Sequence, residues 1–222
     1  LTITLNDFKG LKKTFRSLKD ILHKDIEWII KDGGSKKSEL NLINILLKEI
    51  IDEHPILKKK IIFKTYKDNG IYQAMNYCLS KANGKWIIFM NGGDEFASSK
   101  SFYESLENLD SKNYQIIIGS TYVMDKGKRF ISKSRNIKLC LGINSYRMPA
   151  MHQSQIYNNK IYKKIMFREE YKYSGDHVFF WDAFNKLKNK SLIYNYQNVI
   201  AIFYNDGISS RNPLNSLREV FK

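Results

Sequence analysis

The sequence predicts an α/β fold with a mostly parallel central sheet, flanking helices and a small antiparallel region in its second half. Three observations predict it. Short β-branched runs alternate with runs of helical spacing through the first half. Two of the strand runs stop at an aspartate beside a glycine pair, Asp32-Gly33-Gly34 and Gly92-Gly93-Asp94. After residue 95 the alternation fades and a hairpin pattern takes over.

In order, Leu1 to Leu5 reads as a strand end, and Leu11, Phe15, Leu18 and Leu22 lie on one helix face. Ile26 to Ile30 is an apolar strand that breaks at Asp32-Gly33-Gly34-Ser35. A second helix carries Leu40, Ile43, Leu47, Ile50 and Ile51, and Ile61-Ile62-Phe63 is a third strand. Ile71, Met75, Cys78, Leu79 and Ala82 mark a third helix, and Trp86-Ile87-Ile88-Phe89-Met90 a fourth strand. Repeated β-α-β units imply parallel pairing with helices on the faces, and ligands then bind at the carboxyl ends of the strands. Asp32 and Asp94 therefore belong on the ligand edge.

Further on, 114–123 and 129–132 form a hairpin around Asp125-Lys126-Gly127-Lys128, and 134–150 reads as a loop. A strand is expected over 152–157, a helix over 176–187 and one or two strands over 192–204.

The chain has 222 residues, 43% of them hydrophobic, which suits a packed core in one domain and excludes a disordered chain. That domain is expected over 1–222, with functional halves at 1–95 and 96–222. Cys78 and Cys140 have no metal-site spacing and read as reduced, buried thiols of a cytoplasmic protein. No apolar run reaches the length of a membrane span, and no signal peptide is visible. Because residue 1 is not Met and already reads as strand, the natural chain is expected to start a few residues earlier. A net charge of +15 favours polyanions such as anionic lipid, phosphorylated substrates or nucleic acid, although scattered lysines also suit a merely solvated face.

The turn ending in Asp94 has chemistry to offer. Small residues let a diphosphate approach the backbone, and a carboxylate is a hard ligand for Mg²⁺ or Mn²⁺. The same residues also make an ordinary turn. Asp32 at a strand end can accept from a base or ribose, or simply organise a turn. Asp176 opens a helix, where a cap is the common role. His152 and Gln153 form a polar patch.

Several stretches together resemble the family 2 glycosyltransferases, in particular bacterial enzymes of capsule, lipopolysaccharide and exopolysaccharide synthesis. They are Thr2-Ile3-Thr4-Leu5-Asn6, Glu27 to Ser35, Asp68 to Asn76 followed by Ala82 to Asp94, His152-Gln153 and Ser174-Gly175-Asp176. The resemblance implies a GT-A nucleotide-binding fold whose 1–95 half binds a nucleotide-sugar donor, most often a UDP-sugar, and whose 96–222 half binds a glycan or lipid-linked acceptor. It implies nucleotide contacts from Thr4, Asn6, Asp32, Asn76 and Gly93, and a divalent cation, Mn²⁺ or Mg²⁺, at Asp94. Asp176 matches the family's catalytic base, while His152, Gln153 and Glu95 would flank donor or acceptor. An inverting transfer at the inner face of the cell membrane, against anionic lipid, follows as the expected activity. Three departures stand out: Leu5 for the usual Tyr, Gln73 for a common Asp, and Gly92 and Gly93 where many relatives carry another carboxylate.

Other readings differ in visible ways. A nucleotidyltransferase needs a glycine-rich basic loop after the first strand, where this chain has Asn6-Asp7-Phe8-Lys9-Gly10. A nucleic-acid-binding module would use the charge and the fourteen tyrosines, but no binding motif accompanies them, so no nucleic acid partner is expected. A degenerate, binding-only transferase is the reading that the lone carboxylate at Asp94 keeps open.

Overall fold

The computed structural model describes residues 1–22, 25–100, 102–103, 106, 112–140, 147–205 and 213–220. Three strands, β1 (Thr2–Thr4), β2 (Trp28–Asp32) and β3 (Ile61–Thr65), form a parallel sheet in the order β1-β2-β3. The register pairs Thr4 with Asp32 and Asp32 with Thr65, so the carboxyl ends of all three strands align. The crossovers are α1 (Phe8–Leu18) and α2 (Lys37–Glu53); α3 (Ile71–Lys81) then leads to β4 (Trp86–Ile88).

The second sheet contains β4, β5 (Glu95–Phe96), β6 (Ile116–Asp125), β7 (Lys128–Ser132), β8 (Gln155–Asn158) and β9 (Ile193–Tyr204). Its order is β4-β8-β6-β9-β5, with β7 paired to β6. Only β6 and β9 run parallel; the other pairs are antiparallel. The antiparallel region is thus larger than the sequence predicts: β1, β2 and β3 are parallel as expected, whereas β4 pairs antiparallel with β8. Backbone bonds join the two sheets: Leu1 N to Ile88 O, Met90 N to Leu1 O and Gly92 N to Ile3 O, each 2.9 Å.

Alternation along the strands explains the two-sided core. Trp28 and Ile30 pack with Leu11, Leu18, Ile43 and Leu47 of α1 and α2, while Ile29 between them packs with Met75, Cys78 and Leu79 of α3. In β6, Ile117 joins the first cluster and its neighbours Ile116 and Ile118 the second. The second cluster also receives α6 (Gly175–Asn185), after the short helices α4 (Ile137–Cys140) and α5 (Asn159–Tyr162). A last helix, α7 (Pro213–Val220), follows β9.

The hairpin stands where the sequence put it. Lys126 and Gly127 both have positive φ, 46° and 77°, the two-residue turn whose twist matches the strands. Most strand and helix ends shift by a residue or two, and two segments differ in kind. The expected strand over 152–157 begins as a 3₁₀ turn, His152–Ser154, closed by Ser154 N on Met151 O at 2.9 Å, so only Gln155–Asn158 is strand. The expected loop over 134–150 contains α4, and its 141–146 portion lies outside the described residues.

Phe179 of α6 is the centre of the second cluster. It stacks on Phe167 at 4.1 Å between centroids and meets Tyr157 edge-on at 5.1 Å. Phe179→Ala is expected to lower the unfolding free energy by about 3–5 kcal/mol, the usual cost of emptying a buried aromatic site. Urea titration measures this, and Phe179→Leu should recover more than half of the loss.

Candidate functional site

A cavity of about 1410 Å³ opens at the carboxyl ends of β1, β2 and β4. The starts of α1, α3 and α6 reach it through Asp7 and Gly10, Gly70 and Ile71, and Asp176. Backbone N–H groups at helix starts favour anions there. Lys9, Lys13, Lys133, Arg135, Arg147 and Lys172 line the same cavity, against the carboxylates of Asp7, Asp68, Asp94 and Asp176.

At the first two strand ends the residues divide by task. Thr4 is in the cavity wall. Asn6, in the left-handed region at φ 50°, ties the end of β1 to the β2 loop instead. Its N–H donates to Ser35 Oγ at 2.6 Å and its Oδ1 accepts from Lys36 N at 2.8 Å. Asp32 departs from expectation more strongly. It is fully buried and not among the lining residues, and its carboxylate is spent inside the protein. It accepts from Gly34 N at 3.0 Å, Ser35 N at 2.8 Å, Thr65 Oγ1 at 2.6 Å and the Ser35 hydroxyl. These bonds shape the loop, and Gly34 follows at φ 90° with Lys67 backbone 2.9 Å from where a Cβ would stand. What faces the cavity is Gly33, with Asp68 beside it.

Asp68, from the stretch Asp68 to Asn76, is a further carboxylate of the cavity wall. The fully buried Lys31 holds it, with Nζ 3.1 Å from Asp68 Oδ2 and 2.7 Å from Tyr66 O, and 3.8 Å from the centre of the Tyr66 ring. A buried cation must be paired, so Lys31 fixes both the loop and the carboxylate. The available signal was a lysine inside an otherwise apolar strand.

Asn76 also departs from expectation. It is buried, is not among the lining residues, and uses both ends of its amide to hold the chain at 167–169. Its Nδ2 donates to Phe167 O and Glu169 Oε1, both at 2.9 Å, and its Oδ1 accepts from Phe167 N at 2.8 Å.

The 91–94 turn is pinned to α1 by a single buried hydroxyl. Thr14 Oγ1 lies 2.7 Å from Asp94 O and 3.0 Å from Asn91 O, and accepts from Gly93 N at 3.1 Å. Gly93 has φ 99°, which a side chain would strain. Gly92 passes so close to Thr4 that a Cβ would stand 3.2 Å from its Oγ1. Both glycines and Asp94 line the cavity. Glu95 does not: it accepts from Tyr204 OH at 2.8 Å and pairs with Lys13 at 3.4 Å, behind the wall those two residues form.

Asp94 is 6% exposed, and its carboxylate accepts from Asn91 N at 3.2 Å and faces Gln153 Nε2 at 3.5 Å. Two buried oxygens here, Asn91 Oδ1 and Gln153 Oε1, have no hydrogen-bond partner among the described residues. Among the described residues no group of three or more His, Cys, Asp or Glu is placed to hold a metal ion. One carboxylate with neutral amide oxygens nevertheless fits a hard divalent cation that takes part of its shell from a substrate's phosphates.

His152 connects this turn to Asp176. Its Nε2 is 3.3 Å from Asn91 Nδ2, and its Nδ1 is 3.4 Å from Asp176 Oδ2. Burial alone would push His152 down, but the hydrogen bond and charge of Asp176, with Asp94 behind, raise it above its ordinary value. Burial favours the protonated form of Asp176, yet the bond and charge of His152, then the N–H and charge of His177, leave it below the usual carboxylate range. Each group thus favours the charged form of the other. Burial, only partly offset by Asp176, lowers His177, whose ring accepts from Trp181 Nε1 at 2.8 Å.

The start of α6 is braced from two directions. Gly175 N donates to Tyr72 OH at 2.8 Å. Lys172 N, Tyr173 N and Ser174 N all donate to the Glu219 carboxylate of α7, at 2.9, 2.8 and 3.0 Å. Ser174 Oγ adds a bond of 2.8 Å to Ser216 O. Nothing local in the sequence signals this brace, which spans 45 to 47 positions.

Comparison with known proteins follows the same outline. A family profile described as Glycosyl transferase family 2 matches residues 1–191. A "PGL/p-HBAD biosynthesis glycosyltransferase" of Mycobacterium bovis is 26% identical over 194 residues, which are 82% of this chain and 66% of that protein. The chain therefore spans just under two thirds of that relative's length. Among solved structures, S. aureus TarS 1–349 in complex with UDP superposes with a TM-score of 0.64 at 17% identity, covering 92% of this chain and 59% of that one. The mannosyltransferase PcManGT from Pyrobaculum calidifontis, in complex with GDP-Man and Mn²⁺, gives 0.61 at 11% identity, covering 91% and 55%. The fold is that of the GT-A glycosyltransferases, and the chain belongs to glycosyltransferase family 2.

Proposed function

We propose that the chain moves a sugar from a nucleotide diphosphate sugar, a UDP-sugar, onto a hydroxyl of a glycan or lipid-linked acceptor in cell-surface polysaccharide or glycolipid synthesis, with inversion at the anomeric carbon. One observation carries this reading. Asp94 and Asp176 belong to a single row of contacting groups on one cavity, linked through Gln153, Asn91 and His152. A carboxylate for the donor's phosphate end and a base for the acceptor are thereby held together, as a one-step displacement needs.

Thr4, Gly33 and Asp68 are the groups offered to the nucleoside, and Gly93 is the close approach offered to the diphosphate. A divalent cation at Asp94, Mn²⁺ or Mg²⁺, would neutralise charge on the leaving diphosphate. Lys9 and Lys13, also in the wall, favour that charge as well. UDP in one structural neighbour and Mn²⁺ in another support these assignments by analogy.

Asp176 accepts the acceptor's proton as the hydroxyl oxygen attacks. Its lowered pKa keeps it ionised, and His152 fixes its orientation. The hydroxyl becomes strongly acidic only as its bond to carbon forms, so alignment counts for more than ground-state basicity.

No helix among the described residues is long and apolar enough to cross a membrane. With a net charge of +15 the chain can instead attach peripherally to the anionic inner face of the cell membrane, where a lipid-linked acceptor resides.

Three outcomes are expected. Asp176→Asn keeps the shape and removes the base, so turnover should fall about 10²–10⁴-fold while donor binding stays near normal; a wild-type rate places the base elsewhere. For pH, Asp176 has a depressed pKa, so it is active above that value and loses function as pH falls through it. The acid limb of kcat/KM should therefore lie below about 4. His152→Gln removes the main cause of the depression and should move that limb to higher pH; an unmoved limb would separate the pair. In cosedimentation, the protein should bind anionic vesicles at low salt and release at high salt, since exposed charges are screened within about 10 Å at 0.1 M. Equal binding to neutral vesicles argues against peripheral attachment through charge.

A further inference from the structure

The single carboxylate at Asp94 leaves a divalent cation short of protein ligands, and the oxygen of a neighbouring side chain is available to it. We propose that Gln153 Oε1 is the second protein ligand of that cation, completing with Asp94 a low-charge site that fills together with the donor's diphosphate. The inference rests on the nucleotide-sugar reading given above and names how its metal is held.

Gln153 is 1% exposed, lies in the cavity wall and sits in the 3₁₀ turn His152–Ser154. That turn is anchored, because Ser154 Oγ lies 2.7 Å from Thr121 Oγ1 and donates to Ser120 O at 2.9 Å. The side chain is therefore carried on a fixed base. Its Nε2 faces Asp94 Oδ1 at 3.5 Å, while its Oε1 is buried without a partner. Rotating the amide by half a turn does not help, since it sets Oε1 against the carboxylate. Without a cation, one arrangement orphans an oxygen and the other opposes two acceptors, and both cost stability in a dry site. A cation between Gln153 and Asp94 gives Gln153 Oε1 a partner and draws the amide oxygen and the carboxylate to the same side.

Asn91 Oδ1, the other unpaired oxygen, differs in this respect. Its amide already touches the His152 ring at 3.3 Å, and a half-turn would let the oxygen accept from a ring N–H. Asn91 therefore has an outlet within the protein and Gln153 has none.

Charge explains why the site needs the donor. Among the described residues Asp94 is the one carboxylate at it, and Asp176 stands beyond Asn91 and His152. Mg²⁺ and Mn²⁺ hold weakly to one carboxylate and one amide oxygen, and strongly once two phosphate oxygens join the shell. Binding of cation and nucleotide is then mutually reinforcing by the same factor in each direction.

The test measures Mn²⁺ binding to the whole chain by electron paramagnetic resonance of the free ion, with and without UDP, beside calorimetry of UDP without metal. In the natural sequence UDP should raise Mn²⁺ affinity tenfold or more. Gln153→Leu should cut Mn²⁺ affinity in the presence of UDP by about tenfold and leave metal-free UDP binding unchanged. Gln153→Glu, of the same size, adds a charged ligand and should tighten Mn²⁺ without UDP by about tenfold. Mn²⁺ loading by Gln153→Leu equal to wild type overturns the inference, and so does a Gln153→Glu variant with unaltered UDP-free affinity. Failure of the natural sequence to bind UDP under any condition has a different signature, because it sinks the nucleotide-sugar reading and this ligand with it.

Discussion

The edge of β1 is the constraint on which the rest of the molecule depends. Leu1 and Ile3 pair with the chain from Ile88 to Gly92 through three backbone bonds, and Thr2 Oγ1 adds a fourth to Met90 O at 2.7 Å. These bonds merge a parallel sheet and a largely antiparallel one into a single surface. They also set the height at which β4 ends, so that the 91–94 turn emerges beside Thr4. Thr14 then fastens that turn to α1 from the other side. A one-residue slip along this edge would reverse which side chains face each helix layer and move Asp94 out of the cavity.

How much of this was legible depended on how local the cause was. The β-α-β alternation, the Lys126-Gly127 turn and the open turn at Gly92, Gly93 and Asp94 follow from residues that act on their own neighbours, and they stand where the sequence implied. Asp32, Asn76 and Glu95 have the chemistry of ligands, but their partners come from distant strands and loops. Asp32 is taken up partly by Thr65, Asn76 by Phe167 and Glu169, and Glu95 by Lys13 and Tyr204. A carboxylate or amide drawn into such a network has its orientation set by the fold. Lys31 shows the converse: its importance comes from being a buried cation, and that is a property of the fold.

The opposing influences on Asp176 illustrate why residue type alone does not give reactivity. A helix start and a histidine stabilise its charge, while burial disfavours it, and the contact at 3.4 Å decides the balance. The same contact raises His152, so one geometry sets both groups. His177, one position along the helix from the carboxylate, moves the opposite way because its ring is buried against Trp181.

The brace from Glu219 has a consequence for where this protein's individuality lies. The recognised family segment stops at residue 191, yet three amides just before Asp176 are gripped by a carboxylate 28 positions beyond that limit. The helix α7 works as a keystone: it touches the cavity through Val220 and takes the thrust of α6 at Glu219. Comparative studies that trim sequences to the shared domain discard the piece that makes the arch stand.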